Sequence, residues 1–369
     1  MKKGLITTFY KAHNCGAMLQ AYALKKVLND KGYKIKFLNY RDLNIEESYK
    51  MFSLKNKNLK NKLKEILKIL IFYKEIKNKN LNFENFQNEK LEETNYEISE
   101  NNLTNVNKIK EDFIITGSDQ VWNVDITKGL SDIYTLNFIK NINKISYAAS
   151  IGTEKNVLKY KNEYIDKLTG INHISVREES AKNELEKILP SKNIQVVLDP
   201  TLLLSQNEWN EEIKTLKKEK ERYILSYIVE GNEEQLKIVE YLSELTGLKV
   251  IHFERINRYK RVLRKANSDG PLEFVNLIKN ADYIVATSFH ATVFSIIFNK
   301  KFWIVPYKAT GSRVTDLLKK LEISNRAVNT LEEFNNRNYD EEIDYEKVNK
   351  ILEKEREKSI NWLIDAIEK

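Results

Sequence analysis

The chain has 369 residues, 41% of them hydrophobic and 10% aromatic, a composition that allows two globular domains and excludes a disordered chain. Its single cysteine excludes an intrachain disulfide, and its four histidines lie too far apart in sequence for a clustered Cys/His metal site. The net charge is +8, but no apolar run is long enough to cross a membrane and no secretory signal precedes the first predicted strand, so we expect a cytoplasmic protein.

The first predicted elements form a βαβ unit. Residues 4–8 and 33–39 have the pattern of strands, and residues 17–31 carry apolar side chains at helical spacing. Gly32 follows that helix, as is typical of a helix C-terminus. This order predicts a parallel sheet with a helix packed on it.

The loop before the first helix is a candidate ligand site. Asn14 and Gly16 lie where the helix opens, and a glycine there lets the backbone approach a ligand. An ordinary loop that begins a helix is an equal alternative. The loop has no G-x-G-x-x-G dinucleotide motif, and we interpret Cys15 as incidental.

A basic segment follows at residues 50–79, within an insertion at about 50–110. It holds ten lysines and two acids, which accounts for the whole net charge. Two interpretations stay open: its apolar stripe packs on the sheet while the lysines are solvated, or the segment makes a peripheral contact with an anionic membrane surface. It lacks the interleaved aromatics of a nucleic-acid platform, so we expect no nucleic-acid partner. The stripe consists of Leu59, Leu63, Ile66, Leu67, Leu70 and Ile71.

The first half continues with further strands at 112–116, 145–149, 174–177 and 195–198, and with helices at about 157–168 and 178–189. Gly117, Ser118 and Asp119 follow a strand directly, and such loops line the ligand-binding edge of α/β sheets. Asp119 either binds a hydroxyl of a ligand or caps the next helical turn.

Arg177 lies at another strand end. The planar guanidinium fork suits a carboxylate or phosphate, so Arg177 is a candidate for binding an anionic substrate. The alternative is a salt bridge with Glu178 or Glu179 at the surface.

The α/β pattern restarts near residue 222. We therefore predict an α/β fold of two Rossmann-like, doubly wound domains facing a cleft, a GT-B-like architecture. The predicted domains are residues 1–210, with the basic helical insertion, and residues 211–345. Residues 346–369 form a terminal helix that packs back across the domains. The second domain has strands at 222–227, 249–253, 282–286 and 302–305 and helices at 233–246, 272–279, 289–299 and 313–321.

The stretch ADYIVATSFHATVFSIIF, residues 281–298, predicts a buried strand, a short turn and a buried helix. His290 lies at that junction, with Ser288 and Phe289 beside it. A helix N-terminus favours an anion, and histidine is suited to proton transfer near neutral pH, so His290 is the candidate acid/base. The alternative is a histidine that packs at a capped helix. Arg313 before the 313–321 helix is a second candidate cation.

Several stretches together resemble the polysaccharide pyruvyl transferase family. In chain order they are GAMLQAYAL, IITGSDQVWN, ISYAASIG, ISVREES, VLDPTLLL and SFHATVFSIIFNKKF. The resemblance covers the chain apart from the basic insertion and the last forty residues. Ala291 stands where the family usually has glycine, and Ser288 where some members have arginine. Arg177 or Arg313 must then supply that cation, or the donor differs.

The resemblance implies a GT-B-like fold and a transferase of bacterial exopolysaccharide or cell-wall biosynthesis. Such an enzyme moves a pyruvyl group, as a ketal, from phosphoenolpyruvate to a sugar of a surface polysaccharide or of its lipid-linked precursor. It needs no metal and no cofactor, and the lipid-linked acceptor would place it at the inner face of the membrane. Two alternatives remain: a nucleotide-sugar glycosyltransferase of the same architecture, or a non-catalytic glycan-assembly protein.

Overall fold

A computed structural model describes residues 1–49, 59–99, 103–228, 232–254, 257–306 and 312–369. The chain divides into two compact units. Unit 1 comprises residues 1–203 and 355–369, and unit 2 comprises residues 204–354. Each unit is built on its own parallel sheet.

Unit 1 contains a parallel sheet of seven strands in the order β3-β2-β1-β4-β5-β6-β7. The order reverses between β1 and β4. Its central strands are buried along their length, as expected where helices cover both faces. The strands are β1 Lys3–Thr7, β2 Lys34–Asn39, β3 Glu93–Glu97, β4 Phe113–Thr116, β5 Asn143–Ala149, β6 His173–Val176 and β7 Ile194–Val196.

The helices of unit 1 connect these parallel strands. The first begins at Cys15 with Asn14 as its N-cap, because the Asn14 side chain accepts the N–H of Ala17 at 3.1 Å. The helices are α1 Cys15–Asp30, α2 Leu43–Ser48, α3 Leu59–Ile71, α4 Tyr73–Lys90, α5 Val124–Thr127, α6 Lys155–Lys159, α7 Lys161–Leu168 and α8 Glu179–Ile188, with short 3₁₀ helices at Thr104–Lys108 and Pro200–Leu202.

Unit 2 has a parallel sheet of five strands in the order β10-β9-β8-β11-β12, which reverses between β8 and β11. Its strands are β8 Tyr223–Tyr227, β9 Lys249–His252, β10 Val262–Lys265, β11 Tyr283–Ala286 and β12 Lys301–Ile304. Its helices are α9 Gln206–Glu212, α10 Glu233–Thr246, α11 Pro271–Asn280, α12 Phe289–Ile297, α13 Ser312–Lys320 and α14 Leu331–Asn335, with a 3₁₀ helix at Ser324–Arg326.

The last helix, α15, spans Tyr345–Glu368 and has residues in both units. Within unit 1 its end is tied to the sheet: Asn143 Nδ2 donates to the carbonyl of Ala366 at 2.8 Å, and Lys2 Nζ donates to that of Ile367 at 3.0 Å. Leu363 is fully buried there. The division between the units lies at residues 203/204, a few residues before the predicted boundary.

Two strands escaped the sequence analysis. They are β3, with the sequence ETNYE, and β10, with the sequence VLRK. Both lie at a sheet edge, where a strand has one neighbour and leaves most of its side chains partly accessible. The apolar alternation that marks a half-buried strand is therefore absent from them.

The apolar stripe of the basic segment is exposed. The side chains described on α3 are not packed on the sheet: Leu63, Ile66, Leu67, Leu70 and Ile71 are between 42% and 72% exposed. The packing interpretation of these side chains is therefore wrong. Residues 50–58 and 100–102 of the predicted insertion lie outside the described residues. Among the helices that the structure describes, none combines the length and the apolar character needed to cross a bilayer.

Candidate active site

The loops after β1, β4, β5 and β6 meet at the carboxyl edge of the unit 1 sheet, where α/β proteins bind ligands. Thr8 follows β1, and its hydroxyl donates to the carbonyl of Ser118 at 2.7 Å and accepts from Gln20 Nε2 at 2.9 Å. Gly117 follows β4, and a Cβ added there would lie 3.2 Å from Thr8 Cβ. The two loops at the reversal of strand order are therefore held in close contact.

Arg177 is paired inside the protein. Its Nη1 donates to Asp199 Oδ2 at 2.9 Å, and the two side chains are only 3% and 0% exposed. Ser118 Oγ donates to the same carboxylate oxygen at 2.9 Å. Burial disfavours the charge of Arg177, but Glu178, Asp199 and Asp119 outweigh it and raise its pKa.

Donor binding by Arg177 stays a prediction. The structure shows its guanidinium almost fully buried, with Nη1 bound to Asp199, an arrangement that suits a positioning role. The ion pair is with Asp199, which follows β7, and the buried Glu178 adds a favourable charge, so this is not the surface salt bridge of the alternative. The pair joins the ends of β6 and β7 to the loop after β4 through Ser118.

Asp119 has a strained backbone. Its φ is +82°, a conformation that residues other than glycine rarely adopt. Its Oδ1 accepts the N–H of Gln120 at 2.8 Å, and its carbonyl accepts the N–H of Ser150 at 2.9 Å. Asp119 does not cap the next helix, because the N-cap of α5 is Asn123. Oδ2 makes no hydrogen bond within the described chain, so it is available to a ligand hydroxyl.

The loop after β5 closes on the loop after β4. Gly152 has a φ of +73°, and a Cβ added there would lie 2.1 Å from Asn123 Nδ2. Ser150 Oγ donates to the buried carboxylate of Glu178 in a short hydrogen bond. Polar side chains from the ends of β5 and β6 are thus locked together beside Asp119.

The loop before α1 contacts the insertion. His13 stacks on Phe83 of α4 with ring centroids 5.2 Å apart, and its Nδ1 lies 3.2 Å from Asn80 Oδ1. Burial and the nearby Lys79 lower its pKa. Asn14 uses its side-chain oxygen as the N-cap, and Gly16 is buried in the first turn of α1. The insertion therefore forms one wall of the β1–α1 loop.

In unit 2, the junction predicted around residue 288 is present. Ser288 is the N-cap of α12, and its side chain accepts the N–H of Ala291 at 3.4 Å. Phe289 and His290 occupy the first two helical positions, where helix N–H groups lack intrahelical partners. His290 is half-buried at the carboxyl end of β11, beside the reversal of strand order. Its ring lies edge-on to that of Phe289, with the ring centroids 5.3 Å apart.

Arg313 belongs to the neighbouring helix. It is the second residue of α13, which begins at Ser312, one residue earlier than predicted. α13 contacts α12, and the Arg313 side chain is partly accessible. Arg313 is therefore a cation in the same unit as His290, at the start of an adjacent helix.

A buried polar cluster lies at the ends of β8 and β9. Glu254 accepts from Tyr259 Oη at 2.8 Å, and its other oxygen lies 3.0 Å from His252 Nδ1. Tyr259 Oη is also 2.7 Å from Ser226 Oγ, which accepts from Gln235 Nε2 at 3.3 Å. Burial and Glu254 raise the pKa of Tyr259. His252 is fully buried.

The sequence analysis did not identify several site residues at the carboxyl edge of the unit 1 sheet. Each follows a strand directly or within a few residues, and that shared position is the signal that could have found them. The structure unites them with Gly117, Ser118, Asp119 and Arg177 in unit 1, while Ser288, Phe289, His290 and Arg313 belong to unit 2. The missed residues are Thr8, Ser150, Glu178 and Asp199.

Two α/β units with parallel, order-reversing sheets define the class: this is a GT-B-like α/β protein of the Rossmann-like type, as the sequence predicts. The model of the polysaccharide pyruvyl transferase family matches residues 14–309. The chain therefore belongs to the polysaccharide pyruvyl transferase family, a family of transferases, and the resemblance seen in the sequence is confirmed. No curated protein matches the chain.

Solved structures of similar fold support the architecture. UDP-GlcNAc 2-epimerase from Methanocaldococcus jannaschii is 14% identical, with a TM-score of 0.51 over 96% of this chain and 92% of that one. UDP-N-acetylglucosamine 2-epimerase from Rickettsia bellii is 12% identical, with a TM-score of 0.52 over 99% of this chain and 96% of that one. At this identity the likeness is one of fold alone.

Proposed function

We propose that this protein transfers a pyruvyl group from phosphoenolpyruvate to two hydroxyls of a sugar, in a bacterial surface polysaccharide or its lipid-linked precursor. The observation that carries the proposal is the family match over residues 14–309, a range that includes both the Gly117–Asp119 loop and the His290 junction. The Gly117–Asp119 loop of unit 1 supplies a hydrogen-bond acceptor, and the His290 junction of unit 2 supplies a proton-transfer group and helix N–H donors.

The donor is held by its anionic groups. Phosphoenolpyruvate carries a phosphate and a carboxylate, and the N–H groups at positions 289 and 290 of α12 present a positive helix end. Arg313 at the start of the adjacent helix adds a guanidinium suited to either anion. Arg313 lies in the same unit as the α12 N-terminus, on a helix that contacts α12, so we assign it as the donor cation.

His290 performs the proton transfers. The imidazolium gives a proton to the methylene carbon of the donor, which becomes a methyl group, while a sugar hydroxyl attacks the adjacent carbon. His290 accepts the proton of that hydroxyl. Phosphate then leaves, and a second hydroxyl closes the ketal, so one hydroxyl proton ends on the methyl group and the other on the released phosphate. Neither a metal nor a cofactor takes part in this scheme.

The acceptor is bound by the loop after β4. Asp119 offers Oδ2 to a sugar hydroxyl, and its strained backbone is held by the hydrogen bond of its carbonyl to Ser150. Gly117 and Ser118 fix the start of that loop. Arg177 acts through Asp199 and Ser118 as a positioning residue.

The proposal is tested with phosphoenolpyruvate and polysaccharide extracted from cells that lack this protein. Transfer predicts phosphate release that depends on the polysaccharide, and a pyruvyl ketal detected on the polysaccharide by mass spectrometry. Turnover of a nucleotide sugar without ketal formation would instead identify a glycosyltransferase. Glycan binding without turnover of either donor would identify an assembly protein.

A further inference from the structure

We propose that the exposed face of α3 docks on an anionic lipid surface. The observation is that the apolar side chains of this helix are exposed while an acidic side chain is buried. At about 100° per residue, Leu63, Ile66, Leu67, Leu70 and Ile71 fall within an arc of about 140°. All five are exposed. Glu65, on the opposite side of the helix, is buried.

A helix packed on a protein core shows the opposite pattern. Its apolar stripe faces the core, and its charged side chains face solvent. On α3 the carboxylate of Glu65 is buried and pairs with the half-exposed Lys68 at 3.1 Å, whereas the apolar side chains are exposed. An exposed apolar patch of this kind marks an interaction surface.

The charges beside the patch select the partner. Lys62 and Lys64 flank the two edges of the apolar arc, and both are exposed. Apolar side chains between lysines are the pattern of helices that lie in the interface of an anionic bilayer. A second copy of this chain fits less well, because its own lysines would meet these.

The surface belongs to the insertion that contacts the β1–α1 loop of unit 1. α3 contacts α4, and α4 holds the β1–α1 loop through Phe83 and Asn80. A lipid surface bound at α3 would therefore contact the same insertion that packs against the β1–α1 loop. The docking inference stands without the proposed reaction, since it depends only on exposure and charge.

The experiment is co-sedimentation of the full-length protein with vesicles. We expect binding to phosphatidylcholine and phosphatidylglycerol in equal parts at low salt, weaker binding at high salt, and little binding to phosphatidylcholine alone. Lys62→Gln with Lys64→Gln should weaken binding roughly 30-fold at low salt. The control variant Lys217→Gln with Lys218→Gln removes the same charge from exposed positions of unit 2 and should bind like the wild type.

The apolar contribution is tested separately. Leu63→Ser with Leu67→Ser should weaken binding by about tenfold or more, because each leucine loses its burial in the interface. Leu158→Ser with Leu245→Ser changes two exposed leucines elsewhere and should have no effect. Far-UV circular dichroism and a thermal melt establish that each variant is folded.

Three results would overturn the inference. The first is the absence of binding to the mixed vesicles at low salt, and the second is equal binding to neutral vesicles. The third is a dimer in sedimentation that the Leu63/Leu67 variant disperses, which would show that a second copy covers this face. Neither assay contains a donor or an acceptor, so failure here leaves the proposed transfer reaction untouched.

Discussion

Arg177 and Asp199 form a buried ion pair, 2.9 Å between Nη1 and Oδ2, that joins the ends of two strands in unit 1. Removing one partner leaves the other charge buried. We expect Arg177→Ala to lower the free energy of unfolding by about 3–5 kcal/mol, measured by denaturant titration. Arg177→Met combined with Asp199→Leu should lose less than the two single changes added together, because neither member of the pair is left without the other.

The same pair separates a positioning role from donor binding. In Arg177→Lys the charge is kept, and the Michaelis constant for phosphoenolpyruvate should stay close to that of the wild type while stability falls. A large rise of that constant in well-folded protein would instead restore Arg177 as a direct ligand of the donor.

His290 is predicted to be essential for transfer. His290→Ala should lower the turnover number by a factor on the order of 100 or more, since it removes the acid/base group. The fold should persist, because the side chain is only half-buried at a helix start. His173→Ala, a half-buried histidine at the start of β6, is the matched control and should retain activity. Activity within a few-fold of the wild type in His290→Ala would refute the acid/base role.

Asp119 is predicted to lower the stability of the fold while supporting acceptor turnover. Asp119→Gly relieves a φ of +82° and should raise the free energy of unfolding by about 1 kcal/mol, while acceptor turnover is lost. Asp119→Asn keeps the strain and should also lose acceptor turnover without gaining stability. Thermal melts measure the stability of both variants, and phosphate release measures their acceptor turnover on the same samples. Full activity of Asp119→Asn would show that the carboxylate does not bind the acceptor.

Gly152 is predicted to accept no side chain. Gly152→Ala introduces a Cβ about 2 Å from Asn123 Nδ2 at a positive φ. The free energy of unfolding should fall by about 1–3 kcal/mol. Adding Asn123→Ala removes the two nearest atoms and should recover part of this loss. An unchanged melt for Gly152→Ala would mean that the loop after β5 moves freely.

His13 makes stability depend on pH. Burial and Lys79 hold its pKa below the ordinary value of 6.5, so below that pH the unfolded chain takes up a proton more readily than the folded one. Stability from this group is therefore present above about pH 6.5 and is lost as the pH falls. Denaturant titrations across this range should show a shallower decline for His13→Gln. An identical pH slope in the variant would exclude this contribution.

The positions of strands and loops could be predicted from the sequence where apolar residues form a clear strand or helix pattern. The strands that flank the site are apolar runs, and both the Gly117–Asp119 loop and the His290 junction follow them directly, so their places could be predicted. β3 and β10 could not, because edge strands carry little apolar pattern. The pairing of Arg177 with Asp199 joins residues 22 apart across adjacent strand ends, and no local pattern distinguishes it from a salt bridge with the neighbouring Glu178.

In the insertion the helix was predicted, but the environment of its apolar face was not. Its helical stripe was recognised correctly, but periodicity identifies which side chains share a face and says nothing of what covers that face. The burial of Glu65, on the side of α3 opposite the stripe, is what reveals that the stripe faces outward.

The division of unit 1 between two distant stretches of chain has a consequence for biosynthesis. Unit 2 is continuous from residue 204 to residue 354, so all of its residues leave the ribosome as one uninterrupted segment. Unit 1 must wait for residues 355–369, whose Leu363 and Ile367 complete its interior. The half that is translated first is thus the last to be completed, because its sheet lacks the end of α15 until synthesis is finished.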